Sequence, residues 1–279
     1  MREAKKRRRK GTFATLSEHV KRDRRAFAVF VATRTLVLAV MVRSVFLGQW
    51  ENVFTCFLAL FLLFIPSILE KRLKIDIPTA LEIVVYVFVV CAEILGEIEC
   101  FYLKFPFWDD MLHTVNGFMF AACGFCLVDI FNKNDRLRFE LSPLFCCVVA
   151  FCFSMTIGVL WEFLEFGIDR VFSYDTQKDT VVRQISSVLF DSESLNRAHK
   201  ITDIIGTTLH TAGGDVHIEG YIDVGLYDTM LDMFVNLVGA AAFSFIGYFH
   251  LKNNGESRIA GALIPSREPS NKEGKSGAG

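Results

Sequence analysis

The amino-acid sequence predicts an all-α, polytopic integral membrane protein: six transmembrane helices in a bundle, with a long extracytoplasmic cap between helices five and six. Hydrophobic residues make up 52% of the chain, Phe occurs 28 times and the mean hydropathy is +0.36. An ordinary soluble domain is less apolar than this. A helix of about 20 residues crosses a bilayer. Six apolar stretches are about this long: 26–48, 52–70, 80–98, 110–131, 142–166 and 228–250.

The region before the first span is strongly basic. Residues 1–25 hold 11 of the 30 Lys and Arg residues and 3 of the 31 Asp and Glu residues. A nucleic-acid-binding protein carries its basic residues on a folded face, so a basic tail argues against a nucleic-acid partner. The pattern predicts a cytoplasmic N-terminal arm, 1–25, that contacts anionic membrane lipids.

Lys and Arg residues between the spans predict the orientation of the helices. With the arm in the cytoplasm, the basic loops 71–79 and 132–141 and the tail 251–279 fall on the same side, whereas the short loops on the other side contain only Lys104. This is the distribution that the positive-inside rule expects. We therefore predict a protein of the bacterial cytoplasmic (plasma) membrane with both termini in the cytoplasm.

The segments outside the spans complete the domain organisation. The connection 167–227, inside the transmembrane domain 26–250, is too long for a simple turn and contains an amphipathic stretch near 195–209. It is predicted to fold as a cap on the outer face. The tail 251–279 is rich in Gly, Ser, Lys and Pro and is predicted to be disordered.

Polar residues recur at helical spacing along three of the spans. Residues three or four positions apart lie on one face of a helix. Because the fourth and sixth spans run inward and the fifth runs outward, all three polar stripes are predicted to share the outer third of the membrane, at the depth of Arg43 and Glu93. The stripes are Asp109, Asp110, His113, Asn116 and Gly117; Gly158, Glu162, Glu165 and Asp169; and Asp228, Asp232, Asn236 and Gly239.

Some of these residues also have a purely structural explanation. Asp109 and Asp228 stand at helix N-termini, where a carboxylate accepts hydrogen bonds from free N–H groups. Asp169 can be solvated outside the membrane. Asn116 and Asn236 can join helices through hydrogen bonds. These alternatives stay open at the level of sequence.

Carboxylates combined with an imidazole are a typical ligand set for a divalent metal such as Mg, Mn, Zn or non-haem iron. A bound metal lowers the pKa of a water molecule or polarises a phosphoryl or carbonyl oxygen. The predicted metal ligands are Asp109, Asp110, His113, Glu162, Glu165, Asp228 and Asp232. Of these, His113, Glu162 and Asp232 are predicted to be catalytic, and the supporting residues are Asn116, Asp169, Asn236, Arg43 and Glu93.

Three motifs in the C-terminal half carry a family resemblance: Trp108-Asp109-x-x-x-His113-x-x-x-Gly117, Trp161-Glu162-x-x-Glu165-x-x-x-Asp169, and Asp228-Thr229-Met230-x-Asp232-Met233-x-x-Asn236-x-x-Gly239-Ala240. The pattern resembles the uncharacterised bacterial inner-membrane family typified by YjdF. The last motif is, more remotely, similar to the final helix of VanZ-like membrane proteins. The resemblance implies a polytopic helical membrane protein and supplies no established reaction.

Three functions are compatible with the sequence. The first is a metal-dependent enzyme embedded in the membrane, whose outer-leaflet site favours a lipid-like substrate. The second is a proton- or cation-coupled transporter for a small cationic substrate, in which the same acids and His113 bind the coupling ion. The third is a scaffold without chemistry, although many acids with few cations hold helices together poorly. The enzyme is the preferred hypothesis, and its reaction is left open because no HExxH or GxSxG signature is present.

Overall fold

The computed structural model of the chain describes residues 24–73, 75–132, 141–193, 195–253, 263–264 and 266–267. Six helices in this part are long and apolar enough to span a membrane: Arg24–Phe46, Trp50–Arg72, Thr79–Ile98, Trp108–Val128, Pro143–Phe172 and Leu226–Lys252. They match the six predicted spans, and the predicted fold class is confirmed. The N-terminal arm before residue 24 and the basic loop 133–140 lie outside the described residues.

The elements follow one another along the chain with short connections, except for the cap. The α-helices are α1 (Arg24–Phe46), α2 (Trp50–Leu62), α3 (Ile65–Leu73), α4 (Thr79–Val89), α5 (Phe101–Lys104), α6 (Trp108–Asn132), α7 (Pro143–Phe172) and α8 (Leu226–Lys252). A π-helix, Val90–Ile98, continues α4 to the end of the third span. The strands are β1 (Ile75–Asp76), β2 (Val181–Val182), β3 (Ile185–Ser187), β4 (His199–Ile201), β5 (Thr207–Thr211), β6 (Gly214–Ile218), β7 (Tyr221–Ile222) and β8 (Ser266–Arg267).

The second span is interrupted between α2 and α3, at Leu63 and Phe64. Pro66 has no backbone N–H, so the helical hydrogen bond to the carbonyl of Leu62 cannot form. Arg34 of the first span occupies this break, donating from one guanidinium nitrogen to the carbonyl of Leu63 (2.5 Å) and from another to that of Phe30 (3.1 Å). The guanidinium therefore hydrogen-bonds to a carbonyl at the interruption, one residue beyond the carbonyl that Pro66 leaves without its helical donor.

Aromatic and acidic side chains complete the surroundings of Arg34. Its guanidinium lies 3.4 Å from the ring centre of Phe30 and 5.0 Å from those of Phe64 and Tyr86. The hydroxyl of Tyr86 donates to Glu82 at 2.5 Å. A cation within about 6 Å of an aromatic ring is attracted to its face. Arg34, Tyr86 and Glu82 thus form a charged cluster inside the first three spans, which we call the Arg34 cluster.

The structure divides into two compact units, residues 1–155 with 236–279 and residues 156–235. In the first unit, three groups of buried apolar residues form the core. One joins the first three spans, one joins the fourth, fifth and sixth, and a smaller one joins the third to the fourth. Their members are Val37, Cys56, Ala59, Leu63, Tyr86, Val89, Val90 and Ile94; Ala121, Ala122, Phe125, Cys147, Ala150, Ala240 and Phe243; and Ile77, Leu81, Met119 and Cys126.

Glycines bring α6 and α8 into close contact within the first unit. A Cβ atom built on Gly117 would overlap the carbonyl oxygen of Asn236 and lie 2.9 Å from its carbonyl carbon. A Cβ on Gly239 would overlap the carbonyl oxygen of Thr114 and lie 2.9 Å from the amide nitrogen of Phe118. Small residues allow membrane helices to approach in this way. The small residues of the predicted stripes therefore set the distance between these two helices.

The second unit contains the cap, which is built from pairs of short antiparallel strands: β2 with β7, β3 with β4 and β5 with β6. Residues 199–201 and 207–211 of the amphipathic stretch predicted near 195–209 form strands. Their apolar residues Ile201 and Leu209 are 40% and 46% exposed, so backbone pairing rather than an apolar face orders this segment.

The loop between β3 and β4 is organised by Asp191. Its carboxylate accepts hydrogen bonds from the backbone amides of Glu193, Leu195 and Arg197 at 3.1, 2.8 and 3.0 Å. These bonds, the one from Arg197 foremost, hold the pKa of Asp191 below its ordinary value. The carboxylate therefore stabilises the folded loop above the ordinary Asp pKa of about 3.9, and this contribution is lost as the pH falls through the lower, folded pKa.

Replacing Asp191 with Ala is expected to open this loop locally at neutral pH. Because these amides lose their acceptor, hydrogen exchange at the Leu195 and Arg197 amides should quicken several-fold. Glu219→Ala, an exposed change elsewhere in the cap, serves as the control. The wild-type loop should show the same faster exchange, after correction for intrinsic rates, only in acid. Equal protection in the wild type and in Asp191→Ala would contradict this role.

Four residues of the C-terminal tail depart from the predicted disorder. Ser266 and Arg267 form β8, which pairs antiparallel with β1 in the loop between the second and third spans. Leu263 and Ile264 pack against the apolar core of the last three spans. An exposed strand edge offers free backbone groups to another segment, and here the tail supplies the partner. The other residues beyond 253 lie outside the described part of the chain.

Candidate functional site

Asp109 and His113 form the best-defined part of the site in the first unit. Both lie on α6, one helical turn apart, and Nε2 of His113 is 3.5 Å from Oδ1 of Asp109. The His113 side chain is only 8% exposed, and that of Asp109 is 26% exposed. Asp109 belongs to the first turn of α6, where the helix dipole favours a negative charge. The pair therefore brings a carboxylate and a buried imidazole together near a helix end.

The other polar residues of this stripe have less defined surroundings. Asp110 and Asn116 are partly buried. The backbone carbonyl of Asp110 accepts a hydrogen bond from the Thr114 hydroxyl at 2.8 Å. Gly117 makes the close helix contact, and its carbonyl accepts from the buried Ser154 hydroxyl at 2.7 Å. The end of the stripe at Gly117 thus serves helix packing.

Asn236 also takes part in helix packing in the first unit. Its side chain is almost fully buried, with 1% of the residue exposed, and its amide donates to the sulfur of Met155 at 3.5 Å. Its backbone faces Gly117. These contacts support the structural alternative for Asn236, namely that it joins helices.

Glu162 is the centre of a second group, which lies wholly in the second unit. This carboxylate on α7 is buried, with 4% of the residue exposed, and the side chains of Thr229 and Gln177 lie close enough to interact with it. Gln177 in turn donates to the Thr229 hydroxyl at 2.6 Å. A buried acid is thus connected to the start of α8 and to the first residues of the cap. We call these three residues the Glu162 network.

Asp169 and Asp228 hold the segment that leads into the cap. Asp169 accepts from the Thr176 amide and hydroxyl at 2.7 and 2.6 Å and from the Gln177 amide at 2.9 Å. Asp228 accepts from the Lys178 amide at 2.8 Å. The crowding of acids at the end of α7 is therefore relieved in part by backbone donors. This is a structural role for both residues, and the predicted metal-ligand role of Asp228 stays a prediction.

Glu165 and Asp232 complete the acidic residues of the second unit. Glu165 is partly buried and accepts from the indole N–H of Trp161 at 2.8 Å, on the same helix. Asp232 lies one turn beyond Asp228 on α8 and is buried, with 2% of the residue exposed. Buried acids in a membrane helix are energetically costly and usually functional. By this criterion Asp232 and Glu162 are the stronger candidates, and Glu165 is the weaker one.

The two supporting residues predicted from the first and third spans lie at the ends of those spans. Arg43 forms an ion pair with Glu99 at 3.1 Å, with both side chains well exposed, instead of a pair with a carboxylate of the three stripes. Glu93 lies in the π-helix and is partly buried. The indole of Trp108 donates to the carbonyl of Cys91 in the same π-helix at 3.2 Å. π-Helical turns are rare and often occur at functional sites.

Sequence reasoning missed Thr176, Gln177 and, as a contributor, Thr229. Thr229 is part of the motif that begins at Asp228, so its place in that motif was the available signal. Thr176 and Gln177 belong to the irregular start of the cap, where no helical period exists to connect them with the stripes. Their role depends on the path of the loop.

Comparison with known proteins identifies the family. A family model described as a predicted membrane protein, DUF2238, matches residues 28–253, which contain every candidate residue, all of the last five spans and most of the first. The chain belongs to this family. The resemblance to the family typified by YjdF is thereby confirmed.

One relative of this DUF2238 protein is an uncharacterized protein from Thermotoga maritima. The two sequences are 30% identical over 130 residues, which is 45% of this chain and 65% of the relative. The chain thus spans slightly less than two thirds of that protein. No solved structure matches the chain.

Proposed function

We propose that this membrane protein is a metal-dependent enzyme, embedded in the bilayer, that acts on a lipid-like substrate. The observation that supports this proposal best is the burial of three ionisable residues within membrane-spanning helices. His113, Glu162 and Asp232 are 7%, 4% and 2% exposed. Insertion of a charged residue costs about 2.5–3.5 kcal/mol, so three buried groups of this kind favour a role in binding.

The proposed metal ligands follow from the surroundings of each residue. Asp109 and His113 offer an oxygen and a nitrogen on one helix face, and Asp232 and Glu162 offer buried carboxylates. Asp110, Glu165 and Asp228 are proposed as weaker ligands, because Asp110 is less buried and the other two carboxylates accept N–H groups. Carboxylates and an imidazole are donors that suit Mg, Mn, Zn or non-haem iron.

The buried residues also suit proton transfer. A metal would supply an activated water or a polarised phosphoryl or carbonyl group. Thr229 and Gln177, which bond to each other beside Glu162, restrict the position of its carboxylate, as a general base or a metal ligand requires. The position of these residues within membrane-spanning helices favours a lipid-like substrate over a soluble one. The protein is proposed to lie in the bacterial cytoplasmic membrane with both termini in the cytoplasm.

Metal analysis of detergent-purified full-length protein tests this proposal. We expect a near-stoichiometric divalent metal in the wild type and a loss of at least tenfold in His113→Ala and Glu162→Ala. His210→Ala, which removes an exposed histidine of the cap, should retain the metal. Size-exclusion profiles and helical circular dichroism should stay unchanged, which separates loss of a ligand from loss of the fold.

Other results would favour other functions. A wild type that stays folded and metal-free after controlled loading would contradict the enzyme hypothesis. If the metal is absent and the variants only lower the melting temperature, the polar stripes act as a scaffold.

A proton- or cation-coupled transporter is the second candidate. The observation in its favour is the Arg34 cluster, whose acid Glu82 is buried near the start of the third span. Asp109 lies at the start of the fourth span, and consecutive spans start at opposite faces of the membrane. The first unit thus carries ionisable groups near both faces, as a proton relay requires. Proton flux into liposomes that falls in both Glu82→Gln and His113→Ala would support transport.

A further inference from the structure

The cap contains an open groove that the predicted metal site does not use. Its volume is about 740 Å³, and its lining includes Arg183, Gln184, Thr202, Asp203, Ile205 and Tyr227. All of these residues belong to the second unit. With Val182, the lining combines one cation, one anion, two neutral hydrogen-bonding side chains and three aliphatic or aromatic ones. Such a mixture suits a ligand that is charged at one end and apolar at the other.

One edge of the groove coincides with the boundary of the membrane. Tyr227 is the second residue of α8, a membrane-spanning helix, and it is 58% exposed. Its neighbours Val224 and Leu226 are exposed as well. Aromatic residues at the ends of membrane helices occupy the headgroup level of the bilayer. Because Tyr227 lines the groove, the groove opens at the level of the lipid headgroups on the cap side.

The two charged side chains of the groove come from neighbouring segments. The backbone carbonyl of Arg183 accepts a hydrogen bond from the amide of Ile204 at 3.0 Å, which places Asp203 beside this segment. Within the part of the chain that the structure describes, neither Arg183 nor Asp203 forms an ion pair with another side chain. Opposite charges are thus available on the wall of one groove.

We propose that this groove binds the headgroup of an ethanolamine phospholipid from the leaflet on the cap side. Arg183 pairs with the phosphate, because a guanidinium can donate two parallel hydrogen bonds to phosphate oxygens. Asp203 accepts hydrogen bonds from the primary ammonium, and Gln184 and Thr202 offer further polar contacts. Ile205, which is 85% exposed, and Tyr227 contact the glycerol and upper acyl region.

Two features favour ethanolamine over other headgroups. A quaternary ammonium such as choline is usually held in a cage of several aromatic rings, and Tyr227 is the one aromatic residue among the described lining residues. A glycerol headgroup lacks the positive charge that would complement Asp203. The inference rests on the proposed function, in which the substrate is a lipid. Headgroup binding, however, needs neither a metal nor turnover.

Native mass spectrometry of the full-length protein tests the inference by titration with phosphatidylethanolamine and phosphatidylglycerol of identical acyl chains. An exposed ion pair contributes little binding energy, so the wild type should prefer phosphatidylethanolamine about threefold. Asp203→Asn should abolish this preference. Arg183→Gln should weaken the binding of both lipids about threefold, because both carry the phosphate.

Matched controls change charges elsewhere in the cap. Arg197 pairs with Glu193 and Asp215 contacts His210, so Arg197→Gln and Asp215→Asn should leave lipid binding unchanged. Equal affinity of the wild type for the two lipids, or unchanged binding in both groove variants, would overturn the inference. Displacement of the lipid by glycerophosphoethanolamine at equal concentration would identify a site for a soluble ligand and also overturn it. The metal measurement is independent, so failure of the proposed function is recognised separately.

Discussion

Gly117→Ala and Gly239→Ala are each expected to destabilise the protein by about 3 kcal/mol, at the upper end of the usual cost of overpacking. The added Cβ atoms would meet backbone atoms of the facing helix, which cannot rotate away as a side chain can. The helices α6 and α8 must therefore separate, and the buried apolar residues around Phe243 lose contact. The free energy of unfolding in bicelles, measured by steric trapping, gives the effect directly.

Gly167→Ala is the matched control for this experiment. It changes glycine to alanine inside α7, and apart from the neighbouring backbone of α7 no atom lies within 4 Å of the added Cβ. Alanine is a better helix former than glycine, so this variant should be as stable as the wild type or slightly more stable. If Gly117→Ala and Gly239→Ala were equally harmless, the close approach of α6 and α8 would be wrong.

Arg34→Met is expected to destabilise the first three spans by about 3 kcal/mol, the cost of removing one partner from a buried charged cluster. The substitution keeps an unbranched side chain but leaves the carbonyl of Leu63 and the pair of Tyr86 and Glu82 without the guanidinium. Arg34→Lys should recover little of the lost stability, because one ammonium cannot reproduce the planar guanidinium that donates to two carbonyls. Thermal unfolding in detergent measures the loss.

Arg43→Met provides the comparison on the same helix. Arg43 is 53% exposed and pairs with Glu99, so its loss should cost less than about 1 kcal/mol. If Arg34→Met and Arg43→Met lowered the stability equally, the Arg34 cluster would contribute no more to the fold than an exposed ion pair does.

The parts of the fold that depend on local periodicity were predictable from the sequence. Span positions follow from hydropathy alone, because a bilayer accepts few polar residues over a helix of fixed length. The pair of Asp109 and His113 follows from a spacing of one helical turn. The close contact at Gly117 and Gly239 was signalled by small residues on the polar stripes.

The remaining features depend on segments that carry no such period. The backbone donors that occupy Asp169 and Asp228 come from Thr176, Gln177 and Lys178 in an irregular loop. The break that Arg34 occupies depends on a partner 29 positions away along the chain, at Leu63. Pairing of the tail with β1 is likewise a contact between distant segments. A hydropathy pattern contains no information on such contacts.

The cap is closed at its base, where its entry and exit are joined by hydrogen bonds. Gln177 bonds to Thr229, Lys178 to Asp228 and Thr180 to Asp223, and β2 pairs with β7 just beyond. These contacts at the base involve none of the residues between β2 and β7. Natural relatives can therefore differ in cap length. A short turn that replaces the chain between Val182 and Tyr221 should leave a smaller protein that still inserts into the membrane. Such a protein would suit crystallisation or the display of foreign loops.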